Sequence, residues 1–155
     1  MKKIIYLSIF MIAATISFGC SNVKKTTTTD GFINISISDA AQKIESGDTF
    51  ILQFSKTTCR YCKELEAIES PYLLEREIPI YRILTNDEES EYDSESDFIT
   101  KNFSDLKTVP SVYWIKDGEV MNKLPIVDKE NQSYIFTEWV EDNEAYFNER
   151  LGDDK

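Results

Sequence analysis

The sequence predicts an α/β domain built on a mixed β-sheet with helices on both faces. Three observations carry this. From residue 32 onward, strand-like and helix-like stretches alternate, the pattern in which helical crossovers bring strands together in one sheet. TFILQF (49–54) is a compact apolar run rich in strand formers, as a central buried strand requires. Near the C-terminus, SVYWIK (111–116) and EVMNKLPIV (119–127) flank Asp117-Gly118, a two-residue turn signal that adds an antiparallel pair.

The elements follow in order. FINISI (32–37) alternates apolar and polar residues and reads as a short strand. SDAAQKIESGD then offers Ser38 or Asp39 as N-cap and Gly47 as stop for a short helix. After the 49–54 strand comes a helix with Leu65, Ile68 and Tyr72 on one side and Glu64, Glu66 and Glu69 elsewhere. Pro71 falls within it and is expected to kink or restart it. PIYRILT (79–85) is the next strand and DFITKNF (97–103) the next helix. The hairpin makes the last strand an edge, where Pro125 removes no needed donor. The closing helix, about 133–150, carries Ile135, Phe136, Trp139, Val140 and Phe147 on one broad apolar face. Trp114, Trp139, Tyr113 and Phe136 are expected in the core.

The N-terminus has a different character. Lys2 and Lys3 precede an apolar run from Ile4 to about Phe18, then Gly19 and Cys20. These are the parts of a signal peptide over residues 1–19. A small residue before a cysteine resembles a bacterial lipoprotein signal, in which Cys20 is lipidated, although Ser17 stands where leucine is usual. An uncleaved anchor and ordinary secretion are the alternatives, the run being shorter than the roughly 20 residues that span a bilayer. All three place the domain outside the cytoplasm. Residues 20–31 are polar and aperiodic, a tether, and 32–155 form one domain.

Composition narrows the function. With 41% hydrophobic and 12% aromatic residues, the chain has enough apolar matter for a core. The net charge of -11 argues against nucleic acid, whose phosphates it would repel. Histidine is absent, which excludes Ser-His and Cys-His nucleophiles and any histidine-ligated metal. There are three cysteines. With Cys20 lipidated, one pair remains, Cys59 and Cys62 in TTCRYC (57–62). It could be a working dithiol, a structural disulfide, or two ligands of a metal site.

From residue 32 onward the chain resembles the thioredoxin-fold family. The resemblance rests on C-x-x-C at the junction of a buried strand and a helix, together with TVPSVYWIKDGEV (108–120), which is similar to the family's cis-proline segment and the hairpin after it. Arg60-Tyr61 between the cysteines is closer to the glutaredoxin-type C-P-Y-C than to thioredoxin's dipeptide. The exported layout resembles thioredoxin-like lipoproteins of low-GC Gram-positive bacteria and, with its acidic insertion, bacteriocin transport accessory proteins. The resemblance implies a thioredoxin-like fold and thiol–disulfide exchange with a protein substrate. It also implies that Pro110 is cis and sets the backbone of Val109 against the cysteines, where an extended substrate pairs with it. Arg60, Tyr61, Val109 and Pro110 are thus the expected substrate contacts.

The residues argue the same chemistry. Cys59 falls at the start of a helix, with Thr57 or Thr58 as N-cap. Free N–H groups and the helix dipole stabilise an anion there, lowering the thiol pKa below its free value of about 8.5, and Arg60 adds a cation. Cys62 lies one turn deeper. The expected division is Cys59 as attacking thiol and Cys62 as resolving thiol.

Some residues depart from the family. Gln53, which cannot accept a proton, stands where thioredoxin has a buried acid. Thr58 replaces the tryptophan before the first cysteine, and Ala67 the helix proline. Glu64, Glu66 and Lys63 are then the candidates to handle the Cys62 proton. These changes fit a specialised partner. NDEESEYDSESD (86–97) lacks the ligand order of a calcium loop and reads as a solvated acidic loop that repels acidic partners or selects basic ones.

The expected function is a membrane-anchored, extracytoplasmic thiol–disulfide oxidoreductase. It reduces protein disulfides as a monomer, without cofactor or metal, and draws on a membrane electron-transfer partner. The alternatives are a redox-inactive accessory module with a structural Cys59–Cys62 disulfide, as in peptide export, and a Cu(I)-handling protein.

Overall fold

The computed structural model describes residues 30–85 and 96–152, with the side chains of Ser96 and residues 144–152 excepted. The expected signal peptide, Cys20, most of the tether and nearly all of the acidic loop lie outside the described residues. Among the described residues nine elements follow in order: β1 (Phe32–Asn34), α1 (Ile37–Glu45), β2 (Phe50–Ser55), α2 (Arg60–Arg76), β3 (Ile80–Leu84), α3 (Ser96–Asn102), β4 (Ser111–Lys116), β5 (Glu119–Lys123) and α4 (Lys129–Gly152). The sheet order is β1-β3-β2-β4-β5. β3 runs parallel to both β1 and β2, and β4 runs antiparallel to β2 and to β5. The expected mixed sheet is present, with β2 at its centre.

Each face of the sheet has its own core. Ile51, Val112 and Trp114 meet Leu65 and Leu73 of α2 and Phe136, Trp139 and Val140 of α4. On the other face Leu52, Phe54, Tyr113 and Ile115 meet Ala40 of α1 and Phe103 after α3. All four aromatics assigned to the core are buried. Because side chains alternate along a strand, odd-numbered β2 residues face α2 and even-numbered ones face α1 and α3. Gln53 and Ser55 therefore lie under α2, both inaccessible to solvent.

Local chemistry moved several boundaries. β1 stops at Asn34 because Ser36, and not Ser38 or Asp39, caps α1. The Ser36 hydroxyl accepts from the Asp39 amide at 3.0 Å, and the Asp39 carboxylate accepts from the Ser36 amide at 3.0 Å. Asp39 serves that cap from within the first turn. These bonds hold its carboxyl below the usual range. Gly47, at φ +77, follows the helix as expected. β5 ends at Lys123, so Pro125 lies beyond the strand. The Asp117-Gly118 turn has both residues at positive φ, as a type I′ hairpin requires. A side chain at Gly118 would run into the carbonyl oxygen of Ile44, which brings the hairpin tip onto the end of α1. Asp30 and Gly31, assigned to the tether, engage the domain: the Ile80 amide donates to the Gly31 carbonyl at 3.2 Å.

α2 differs most from expectation. It runs unbroken from Arg60 to Arg76, and Pro71 does not restart it. Pro71 lies on the exposed side, so the Ala67 carbonyl that loses its donor is open to water. The buried stripe is Cys62, Leu65, Glu69 and Leu73, with Ile68 and Tyr72 only partly buried. Glu69, expected off the apolar face, is 0% exposed, and neither carboxylate oxygen has a partner. Burial pushes its pKa well above the usual range; Glu66 adds to the rise and Arg82 opposes it. Gln53, in the same layer, also has both side-chain polar atoms unpaired.

Candidate functional site

β2 delivers the chain to the site. After Ser55 a tight turn brings the Cys59 amide to the Lys56 carbonyl at 3.2 Å, and α2 begins at Arg60. Cys59 is itself the N-cap. Thr57 and Thr58, the expected caps, lie exposed in the turn before it. The Cys62 amide donates to Cys59 Sγ at 3.1 Å, the bond a serine or aspartate would accept at this position. Cys59 and Cys62 form a disulfide. Cys62 is 0% exposed, while Cys59 is partly open. The two sulfurs thus differ in access, and the more accessible one sits where the helix N-terminus favours negative charge.

The Val109-Pro110 peptide is cis. The Val109 carbonyl lies 3.9 Å from Cys59 Sγ, so the segment before β4 faces the helix start. Of the other expected substrate contacts, the Tyr61 ring is 71% exposed. Arg60 pairs with Glu64 through Nε at 2.9 Å on the surface of the first turn, so its charge is directed along the helix. Glu64 raises the Arg60 pKa by this bond. Cys20 lies outside the described residues.

A groove of about 480 Å³ runs from Tyr61 past Val109 and Pro110 to Ile126 and Val127. Its far wall is built by residues the sequence reading missed. Gln132, buried on α4, accepts from the Val127 amide at 2.7 Å and donates to the Pro125 carbonyl at 3.2 Å. Asp128 caps α4 through the Asn131 amide at 3.2 Å and also accepts from the Asn131 side-chain amide, which holds its carboxyl below the usual range. Asp128 preceding the helical pattern was a readable cap signal; nothing local marks Gln132. Deeper in, Trp139 Nε1 donates to Asn122 at 2.7 Å and the Asn122 amide to Asn143 at 3.0 Å, fastening α4 to β5.

The candidates for the Cys62 proton separate clearly. Glu64 is engaged by Arg60 at the surface, and Lys63 is exposed. Glu66 turns inward, accepting from Ser55 Oγ at 2.6 Å and pairing with Arg82 at 3.0 Å. It lies one helical turn after Cys62, on the same side of α2. Among the described residues no group of three or more His, Cys, Asp or Glu is placed to hold a metal, and no helix is long and apolar enough to cross a membrane.

Comparison with known proteins places this geometry. No protein-family model matches the chain, and no curated protein sequence matches it. Solved structures do. Thioredoxin O2 from Arabidopsis thaliana in the oxidized state is 16% identical, with 73% of this chain and 97% of that one covered at a TM-score of 0.50. Mitochondrial thioredoxin 3 from Saccharomyces cerevisiae, in its oxidized form, is 14% identical over 74% and 97%, at 0.51. Thioredoxin from Trypanosoma brucei brucei is 10% identical over 77% and 99%, also at 0.51. Taken with the sheet order and the disulfide at the start of α2, these likenesses show that the chain has a thioredoxin-like fold.

Proposed function

We propose that this protein is a thiol–disulfide oxidoreductase that reduces protein disulfides outside the cytoplasm, held to the membrane by a lipid on Cys20. The observation that carries the redox reading is the 3.1 Å bond from the Cys62 amide to Cys59 Sγ. In the reduced protein that amide and the helix dipole favour the Cys59 thiolate, the reactive form. The lipid anchor rests on the resemblance of residues 1–20 to lipoprotein signals, the finer likeness to Gram-positive exported relatives included.

The exchange runs in two steps. The Cys59 thiolate attacks one sulfur of a substrate disulfide, forming a mixed disulfide and releasing the other sulfur as a thiolate that takes a proton from water. Cys62 then loses its proton, toward Glu66 or water, and attacks Cys59 Sγ. The substrate's second sulfur leaves and is protonated in turn. Two electrons pass to the substrate, and the protein is left with the Cys59–Cys62 disulfide. The groove beside Tyr61 holds an extended substrate segment against Val109 during both steps. A membrane electron donor is needed to reopen the disulfide, since no soluble reductant is assured outside the cell.

The test is the reduction potential of the pair, by equilibration of the protein with dithiothreitol or glutathione. A value near the roughly -270 mV of thioredoxin supports the reductant. One near about -120 mV reverses the direction and makes the protein a disulfide donor. A pair that never equilibrates removes turnover and leaves an accessory module closed by a structural disulfide.

A further inference from the structure

Residues 103–110, between α3 and β4, form neither helix nor strand, yet they carry the Val109 carbonyl to within 3.9 Å of Cys59 Sγ. Such a stretch lacks the hydrogen-bond ladder of a regular element, so other contacts must hold it in place. Its start is fixed by Phe103, buried and edge-on to Phe54 at 5.1 Å and to Tyr113 at 4.9 Å. Near its end the Ser111 hydroxyl donates to the Thr108 carbonyl at 2.7 Å. Leu106 and Val109 pack on the same core, but apolar contact is non-directional and does not set a backbone angle.

Between these ends Asp105 supplies directional ties to the sheet. Its carboxylate accepts from the Tyr113 hydroxyl at 3.0 Å and lies 3.4 Å from Lys123 Nζ, which also donates to the Asp105 carbonyl at 3.4 Å. Tyr113 and Lys123 are register partners on β4 and β5, so Asp105 is joined to two adjacent strands. The Tyr113 ring is buried edge-on to Phe54 and Phe103, which gives its hydroxyl a fixed place. Burial, with the Asp105 carboxylate bonded to it, pushes the phenol pKa up, so the hydroxyl remains a donor at any working pH. The Lys123 pair is open to water, where such pairs contribute little. The constraint is therefore carried mainly by the Tyr113 bond.

We propose that Asp105 is a positioning residue for disulfide exchange: held by Tyr113, it fixes the segment that presents the Val109 backbone to a substrate beside Cys59. The inference rests on the redox reading of Cys59 and Cys62 and on the pairing of substrate with Val109. It acts on disulfides set in a peptide chain and leaves small disulfides, which have no backbone to pair, untouched.

The experiment follows stopped-flow oxidation of the full-length reduced protein by a neutral peptide closed by one disulfide, with bis(2-hydroxyethyl) disulfide as reference. Asp105→Ala is expected to raise the half-saturating peptide concentration about fivefold, the loss of roughly one net hydrogen bond. The limiting rate, the rate with the small disulfide and the reduction potential should stay at wild-type values. Tyr113→Phe should give the same increase, and the double variant no more than either, since both remove one bond. Asp105→Asn keeps an acceptor for the Tyr113 hydroxyl and should stay near wild type. An unchanged half-saturation in both single variants, equal slowing with the small disulfide, additive effects, or an asparagine variant as impaired as alanine would overturn the inference. Should Asp105→Ala fail to fold, Tyr113→Phe decides by the same readouts. If neither disulfide oxidises the wild type, the redox reading itself fails and takes the positioning role with it. A reactive wild type with variants that match it ends the inference alone.

Discussion

The sulfur of Cys59 occupies the N-cap of α2 and receives the Cys62 amide, so the residue that caps the start of the helix is also the proposed nucleophile. Serine at either position should separate the two thiols. Cys59→Ser keeps a capping oxygen but no nucleophile, and disulfide reduction should fall to background. Cys62→Ser leaves Cys59 able to attack and nothing to release the product; a mixed disulfide should accumulate on non-reducing gels, with turnover down at least about a hundredfold. Glu69 yields a second prediction, on stability. Below the ordinary glutamate pKa of 4.5 the carboxyl is protonated in both folded and unfolded chains. Above it the unfolded chain ionises while burial keeps the proton on the folded one. The unfolded state then binds fewer protons, and stability declines as pH rises from about 4.5 toward the raised folded pKa. Urea unfolding across pH 4 to 9 should show this decline in the wild type. Glu69→Leu should remove it and gain about 1–3 kcal/mol at neutral pH, the usual cost of an unsatisfied buried polar group. An unchanged pH profile in that variant would mean the carboxyl is satisfied by enclosed water.

At the level of elements, the site depends on how loops are pinned between them. Gln132 takes the Val127 amide and gives to the Pro125 carbonyl, so one buried side chain on α4 sets the wall of the groove. Gln132→Leu should raise KM for a peptide disulfide by about 5–10-fold, the loss of roughly one net hydrogen bond. The reduction potential should stay put, because Gln132 does not touch the cysteines; a shifted potential would show that α4 had moved as a whole. The hairpin makes a comparable demand. Gly118 combines a φ of +78 with close approach to the Ile44 carbonyl, so Gly118→Ala must shift either β4–β5 or α1. A loss of about 2 kcal/mol or more in chemical denaturation is expected. An alanine variant of wild-type stability would show that the hairpin tip adjusts freely.

For the whole molecule, the proposed anchor and the proposed redox site lie in separate stretches of chain. Cys20→Ser should release the protein from the membrane fraction into the medium while the purified variant keeps its reduction potential. Retention on the membrane would point to an uncleaved anchor. The sheet and its flanking helices were legible from the sequence because strand and helix periods differ, and burial enforces each period over several residues. The C-x-x-C and TVPSVYWIKDGEV stretches were legible as a pair because each has a local signature. Glu69 was misplaced because its stripe is set by where α2 lies on the sheet; taken alone, Leu65, Ile68 and Tyr72 define a stripe equally well.

The sequence by itself determined the strand and helix order, the buried run TFILQF, the hairpin at Asp117-Gly118 and the C-x-x-C spacing of the two cysteines, since each depends on neighbours a few residues away. Only the tertiary structure decided that Cys59 caps its own helix, that Glu66 turns in to Ser55 and Arg82, and that Gln132 shapes the groove. Ser55, Glu66 and Arg82 are far apart along the chain, and the attraction between their polar groups depends on distance in space, whatever their order in sequence.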